Sequence, residues 1–83
     1  MPCERLINAR KKAVGSKETL KAVERGQAKV VFVAKNAEQR VVEPVIRACQ
    51  ARGTPVEEVS SMRELGRACG ISVNCASAAV IED

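Results

Sequence analysis

Aromatic side chains are nearly absent from this sequence. Its 83 residues contain no Trp, no Tyr and a single Phe, Phe32. Proteins that read single-stranded nucleic acids on a sheet surface or in an open groove stack the bases on aromatic rings. One ring cannot form such a platform, so the sequence excludes this mode of nucleic-acid recognition.

Histidine is also absent, and the cysteines are few and scattered. The four cysteines, Cys3, Cys49, Cys69 and Cys75, form no C-x-x-C pair. Structural zinc sites usually take their ligands as closely spaced pairs. No nucleophile with a neighbouring base is visible either. We therefore expect no metal, no other cofactor and no enzymatic activity.

The surroundings of each cysteine indicate different degrees of burial. Cys49 and Cys69 occupy apolar positions of predicted helices, where a cysteine behaves as a small buried hydrophobic residue. Cys3 lies near the start of the chain and is expected to be exposed, and Cys75 lies near a glycine-rich bend. Cys3 and Cys75 are therefore the candidates for oxidation.

Long hydrophobic runs are missing as well. No apolar stretch approaches the roughly 20 residues of a membrane span. The opening residues, Met1-Pro2-Cys3-Glu4, resemble no secretory leader. We expect a cytoplasmic protein with no membrane partner, folded as a single domain over residues 1–83.

Charge is distributed unevenly along the chain. Residues 1–35 carry nine Lys or Arg and three Glu, a net charge of +6. Residues 36–83 carry five Lys or Arg and seven acidic residues, a net charge of −2, which gives +4 for the whole chain. A basic segment of this kind is typical of a polyanion-binding surface, although a solvated helix face would look the same.

The hydrophobic pattern predicts helices that alternate with short strands. Ser16 and either Ser60 or Ser61 are suitable N-caps, and Pro44 should exclude residues 37–42 from the main helix. The predicted helices span residues 3–13, 16–25, 44–52 and 61–69, and the predicted strands span residues 29–34, 56–59 and 77–81. This order predicts an α/β fold, a three-layer α/β/α sandwich around a mixed, roughly four-stranded sheet.

The first candidate binding segment is Gly15-Ser16-Lys17-Glu18-Thr19-Leu20-Lys21. The free N–H groups at the start of its helix suit phosphate oxygens, and Lys17, Lys21 and Arg25 form a basic stripe. A carboxylate is unexpected among phosphate-binding cations. Glu18 makes sense if it accepts hydrogen bonds from the free Watson–Crick edge of a guanine in a sheared G·A pair.

The second candidate is the segment after Gly70, where Ile71 and Val73 are aliphatic residues in a predicted loop. Such residues either belong partly to the core or project from the surface. If they project, they could cover the face of an extruded RNA base.

The sequence resembles the bacterial YbxF-type branch of the L-seven-Ae and L-thirty-e ribosomal protein family, whose members bind kink-turn RNA. The resemblance covers essentially the whole chain. It is carried by the segment at residues 15–21 quoted above, by Val33-Ala34-Lys35-Asn36-Ala37 and by Leu65-Gly66-Arg67-Ala68-Cys69-Gly70-Ile71-Ser72-Val73. Many members have Asn where this chain has Lys17, and Ala is common at the position of Cys75.

The resemblance implies a ribosome-associated protein that binds tandem sheared G·A pairs with its second helix and the extruded nucleotide with its last loop. The partner would be a kink-turn in ribosomal RNA or a riboswitch, bound by a monomer. The implied RNA-binding residues are Gly15, Ser16, Lys17, Glu18, Lys21, Arg25, Lys35, Ile71, Ser72 and Val73.

A DNA-binding helix-turn-helix over residues 61–80 is the alternative interpretation. Residues 63–72 resemble its first helix and turn. The recognition helix would then fall on residues 73–79, which contain no Lys or Arg and are poorly suited to phosphate or guanine.

Overall fold

A computed structural model describes residues 3–83. This part of the chain forms four helices that alternate with four strands. In chain order they are α1 (Glu4–Asn8), β1 (Lys11–Val14), α2 (Ser16–Glu24), β2 (Val30–Ala34), α3 (Gln39–Arg52), β3 (Val56–Val59), α4 (Met62–Cys69) and β4 (Ser77–Glu82).

The four strands form one mixed sheet in the order β1-β4-β2-β3. β4 is antiparallel to both of its neighbours, whereas β2 and β3 run parallel. All five residues of β2 are buried. The run of β-branched residues in β2 is therefore covered on both faces, as expected for a central strand.

Two pairs of helices cover the two faces of the sheet. On one face, Val23 of α2 and Val45 of α3 pack against Val31 and Val33 of β2. On the other face, the core includes Leu6 of α1, Leu65 of α4 and Phe32 of β2, and all three are at most 1% exposed. The predicted three-layer α/β/α sandwich with a mixed four-stranded sheet is confirmed.

The first predicted helix is too long. Residues 3–13 were expected to be helical, but α1 ends at Asn8 and Ala9 is already extended, with φ −62° and ψ 137°. Lys11–Val14 instead pair with β4 as an edge strand. Hydrogen bonds to β4 compensate for the loss of helical ones, and lysines are common on edge strands because they discourage pairing with other chains. Part of the apolar pattern assigned to a helix therefore belongs to this strand.

Pro44 does not exclude the preceding residues from a helix, so that prediction is wrong. α3 begins at Gln39 and continues through Pro44 to Arg52. The cost of one missing hydrogen bond is offset by packing, since Val42, Val45 and Cys49 on both sides of Pro44 are buried against the sheet.

All four cysteines are buried. The burial of Cys49 and Cys69 is confirmed, whereas the expected exposure of Cys3 is wrong. Cys3 is 5% exposed and Cys75 is 3% exposed, and both belong to the core cluster beneath α1 and α4.

The helix-turn-helix interpretation is also wrong. Residues 77–80 of the proposed module belong to β4, and residues 73–76 lie in the preceding loop. The segment is a strand because each side of β4 is paired with another strand of the sheet. Within residues 3–83, no helix has the length and apolar character needed to cross a bilayer.

Candidate nucleic-acid interface

Three segments that lie far apart in the sequence meet at one edge of the sheet. The backbone N–H of Gly15 donates to the carbonyl of Ser77 at 2.9 Å, and the hydroxyls of Ser16 and Ser77 are hydrogen-bonded at 2.7 Å. The N–H of Ala34, at the end of β2, donates to the carbonyl of Ala76 at 2.9 Å. The start of α2, the end of β2 and the loop before β4 are thus joined through the first residues of β4.

The start of α2 has the properties expected of an anion-binding site. Gly15, at the N-cap, has a φ of 92°, a value that favours glycine, and no side chain of residues 3–83 caps the helix. Ser16 was predicted to be the N-cap, but it is the first helical residue and its hydroxyl is bonded to Ser77. The N–H groups of the first turn have no partner within the helix and lie at the positive end of the helix dipole.

The charged side chains of α2 lie at the surface. The ammonium of Lys21 is 3.9 Å from the carboxylate of Glu18, and their side chains are 47% and 61% exposed. Lys17 and Arg25 are also exposed. A pair this exposed contributes little to stability, so Glu18 is free to accept hydrogen bonds from a ligand.

An open groove of about 430 Å³ separates α2 from β1. Lys11, Glu18, Lys21 and Arg25 contribute to its lining. The sequence prediction did not include Lys11, because residues 3–13 were assigned to a helix rather than to an edge strand. Lys12 also lines the groove, but its ammonium donates to the carbonyl of Leu6 at 3.2 Å and so helps to hold α1.

The segment after β2 connects this edge of the sheet to α4. Lys35 is exposed, and its N–H donates to the carbonyl of Val59 at 2.8 Å. The side-chain oxygen of Asn36 accepts a hydrogen bond from the N–H of Met62 at 2.9 Å. Asn36 thus satisfies the N–H of the first residue of α4.

The two aliphatic residues that were predicted to contact RNA, Ile71 and Val73, differ in exposure within the loop at residues 70–75. Val73 is 66% exposed, whereas Ile71 is partly buried against the core cluster below it. Ser72 is exposed between them. Val73 therefore projects into solvent, and the core interpretation applies to Ile71.

The loop is attached closely to α4. The N–H of Ile71 donates to the carbonyl of Gly66, and the N–H of Cys75 donates to the carbonyl of Met62, both at 3.0 Å. Gly66 is buried, and a Cβ atom at this position would overlap the carbonyl oxygen of Val73. The missing side chain of Gly66 thus allows the loop to lie against the helix.

A pair of thiols lies beneath the same loop. A hydrogen bond from Cys69, together with the backbone N–H of Gly15, lowers the pKa of Cys75 below the ordinary thiol value of 9.0. The same thiol–thiol hydrogen bond and burial raise the pKa of Cys69. The sulfur of Cys75 thus lies between the end of α4 and the start of α2.

Within residues 3–83, no cluster of three or more His, Cys, Asp or Glu residues is arranged to hold a metal ion. What this edge of the sheet offers is hydrogen-bond donors, cations, one carboxylate and one exposed aliphatic side chain. These groups suit the recognition of a polyanion that also presents base edges and faces.

The sequence of residues 4–83 matches the profile of the ribosomal protein L7Ae/L30e/S12e/Gadd45 family. The chain belongs to this family. Its similar proteins include one named RNA-binding protein from Geobacillus sp. strain WCH70, 38% identical over 98% of this chain and 99% of that protein. RNA-binding protein YbxF of Geobacillus stearothermophilus is 37% identical with the same coverage. An RNA-binding protein of Caldanaerobacter subterraneus is 45% identical over 83% of this chain and 84% of its own.

Solved structures show the same fold. The Giardia lamblia 15.5 kD RNA-binding protein superposes with a TM-score of 0.79 and is 31% identical, covering 98% of this chain and 68% of its own. A Bacillus halodurans protein of unknown function superposes with a TM-score of 0.82 at 25% identity, covering 96% of this chain and 80% of its own.

Proposed function

We propose that this protein binds RNA, and that its target is a kink-turn with tandem sheared G·A pairs. The observation that carries the proposal is the start of α2, where the exposed Glu18 carboxylate lies beside Lys21. Gly15 and Ser16 at the same helix start are hydrogen-bonded to Ser77, which follows the loop that presents Val73. Family membership and relatives that are named RNA-binding proteins support the RNA-binding part of this proposal.

Glu18 would provide the base-specific contact. A carboxylate repels phosphate, so it reduces affinity for a generic polyanion, but it accepts hydrogen bonds from the N1–H and amino group of a guanine. These groups are paired in a Watson–Crick duplex and free in a sheared G·A pair. Lys17 or Lys21 beside it would donate to guanine O6 or N7.

The remaining contacts would position the RNA. The free N–H groups at the start of α2 would bind phosphate oxygens, and Lys35 and Arg25 would add charge on either side. Val73 would cover the face of the nucleotide that the kink extrudes, because an exposed aliphatic side chain gains by excluding water from an unstacked base.

In the proposed function, the protein acts without catalysis, as a cytoplasmic monomer associated with ribosomal RNA or another kink-turn RNA. RNA crosslinked to the protein in its own cells, and then sequenced, identifies the target.

Arm closure of the RNA tests the mechanism. A protein stabilises the bent form only by the difference between its affinities for the bent and open forms. A shift from 1:99 to 99:1 requires about 5.5 kcal/mol. Two or three base contacts of about 1–3 kcal/mol each, with phosphate contacts, would supply this difference. Dyes on the two arms should therefore approach when protein is added without magnesium, and saturate at one protein per RNA.

The control RNA carries Watson–Crick pairs in place of both G·A pairs. It should bind weakly and remain extended. Glu18→Ala should weaken binding to the kink-turn by about 1–3 kcal/mol and reduce discrimination against the control RNA. Glu24→Ala, at the other end of the same helix, is the matched variant and should bind as the unmodified protein does. Equal affinity for the two RNAs, or no effect of Glu18→Ala, contradicts the proposal.

A further inference from the structure

A second basic surface lies on α4, outside the residues that the sequence indicated. Arg63 and Arg67 are exposed and four residues apart, so they lie on one face of the helix. They line a cavity of about 240 Å³ together with the loop residues Ile71, Ser72, Val73 and Asn74. The two guanidinium groups therefore border the exposed side chain of Val73.

Neither guanidinium group has a hydrogen-bond acceptor or an ion-pair partner within residues 3–83. Several other arginines are paired: Arg5 with Asp83, Arg40 with Glu38, Arg47 with Glu43, and Arg52 with the carbonyl of Glu24. Glu64, the acidic residue between the two α4 arginines, accepts a hydrogen bond from the hydroxyl of Ser60. The donors of Arg63 and Arg67 thus remain available to a ligand.

We propose that Arg63 and Arg67 bind the phosphates on either side of the nucleotide that rests on Val73. The inference depends on the proposed function, and it assigns to α4 the RNA strand that carries the extruded nucleotide. Planar guanidinium groups match the geometry of phosphate oxygens. Four helical residues span about 6 Å along the axis, so the two side chains reach neighbouring positions of one strand.

The groups that line the cavity indicate a site for a nucleotide rather than a helix face that is only solvated. An extruded nucleotide presents an apolar base face between two anionic groups. The cavity presents the complementary arrangement, an exposed aliphatic residue next to two cations, and the loop that holds Val73 is anchored to α4 by the bond from Ile71 to Gly66. Base and phosphates would thus be bound by one rigid unit.

A double-mutant cycle between protein and RNA tests the assignment. Two versions of one kink-turn RNA are synthesised. The first has ordinary phosphates, and the second has uncharged methylphosphonate linkages on both sides of the extruded nucleotide. Arg63→Ala and Arg67→Ala should each weaken binding to the normal RNA roughly 10- to 100-fold, because each removes a charge-assisted contact. Their binding to the modified RNA should remain within about twofold of the unmodified protein's. Each salt slope should fall by about one unit.

Arg47→Ala, on α3 at the opposite face of the sheet, is the matched control and should change neither affinity. Glu18→Ala should retain its full penalty on the modified RNA, because it contacts a different part of the kink. Equal losses on both RNAs, or no loss on either, overturn the assignment of Arg63 and Arg67. If Glu18→Ala and the G·A replacement also have no effect, the proposed function itself fails.

Discussion

Gly66 in α4 provides a direct test of how the loop at residues 70–75 is held. Helix propensity alone predicts that Gly66→Ala stabilises the protein by about 1 kcal/mol, because glycine is unfavourable inside a helix. The structure predicts the opposite. The new Cβ atom would overlap the carbonyl oxygen of Val73 and lie 3.3 Å from its carbonyl carbon. Both atoms belong to the backbone, which cannot rotate away as a flexible side chain does.

The expected magnitude follows from what must move. Restoring ordinary contact distances displaces the loop by roughly an ångström. The two hydrogen bonds that attach the loop, from Ile71 to Gly66 and from Cys75 to Met62, would be weakened, and each contributes about 1 kcal/mol. Because the gain in helix propensity offsets about 1 kcal/mol of this loss, a net destabilisation of up to about 1 kcal/mol remains.

Thermal and urea unfolding, combined with RNA titration, measure both consequences. A loss of 1 kcal/mol lowers the Tm of a domain this size by about 4–8 °C. RNA affinity should also fall at temperatures where the variant is fully folded, because Val73 moves with the loop. Gln50→Gly and Gln50→Ala, at an exposed position of α3, measure the propensity difference without a clash. A higher Tm for Gly66→Ala, or unchanged RNA affinity, refutes the reasoning.

Three further predictions use other features of the molecule. Thr19→Val should raise the free energy of unfolding by about 1 kcal/mol, since the Thr19 hydroxyl is buried and has no hydrogen-bond partner among residues 3–83; a lower Tm by calorimetry would show that the hydroxyl is satisfied. Val73→Asp should reduce RNA affinity with little change in Tm, because Val73 is 66% exposed; a large drop in Tm would place Val73 in the core. Burial raises the pKa of the Cys49 thiol above its ordinary value of 9.0, so above that pH the thiol ionises first in the unfolded chain. The stabilisation is therefore complete below pH 9.0 and is lost as the pH rises. While only the unfolded thiol ionises, the free energy of unfolding falls by up to about 1.4 kcal/mol per pH unit. Cys49→Ala should therefore flatten the decline in unfolding free energy measured between pH 8 and 10.5, and an unchanged slope would contradict the assignment.

The elements that were predictable from the sequence are those with strong local signals. β2 has a continuous run of β-branched residues, and α4 has a serine at its start and a glycine after its end. Ser61 indeed accepts a hydrogen bond from the N–H of Glu64 at 3.1 Å, and Gly70 has a φ of 80°. The basic stripe of α2 was likewise visible in the sequence, and its role as a binding surface stays a prediction.

The elements that were not predictable depend on partners far away in the sequence. Residues 11–14 form a strand because β4, about 70 residues later, supplies hydrogen-bond partners. α3 continues through Pro44 because its apolar face packs on the sheet. Asn36 caps α4 across 26 residues. The local propensity of a segment carries no information on such distant contacts. The groove between α2 and β1 was not predictable for the same reason.

The proposed selectivity for bent RNA depends on the rigidity of this edge of the sheet. Gly15 and Ser16 at the start of α2 are both bonded to Ser77, which is fully buried, and Ala34 is bonded to the adjacent Ala76. β4 therefore fixes the distance between the helix that would contact the G·A pairs and the loop that would contact the extruded nucleotide. In this proposal an open RNA would contact only one of these surfaces at a time, whereas a kinked RNA would contact both without a rearrangement of the protein. A protein held in this way would lose little conformational entropy on binding, so the second contact would contribute almost fully to the difference between the two RNA forms.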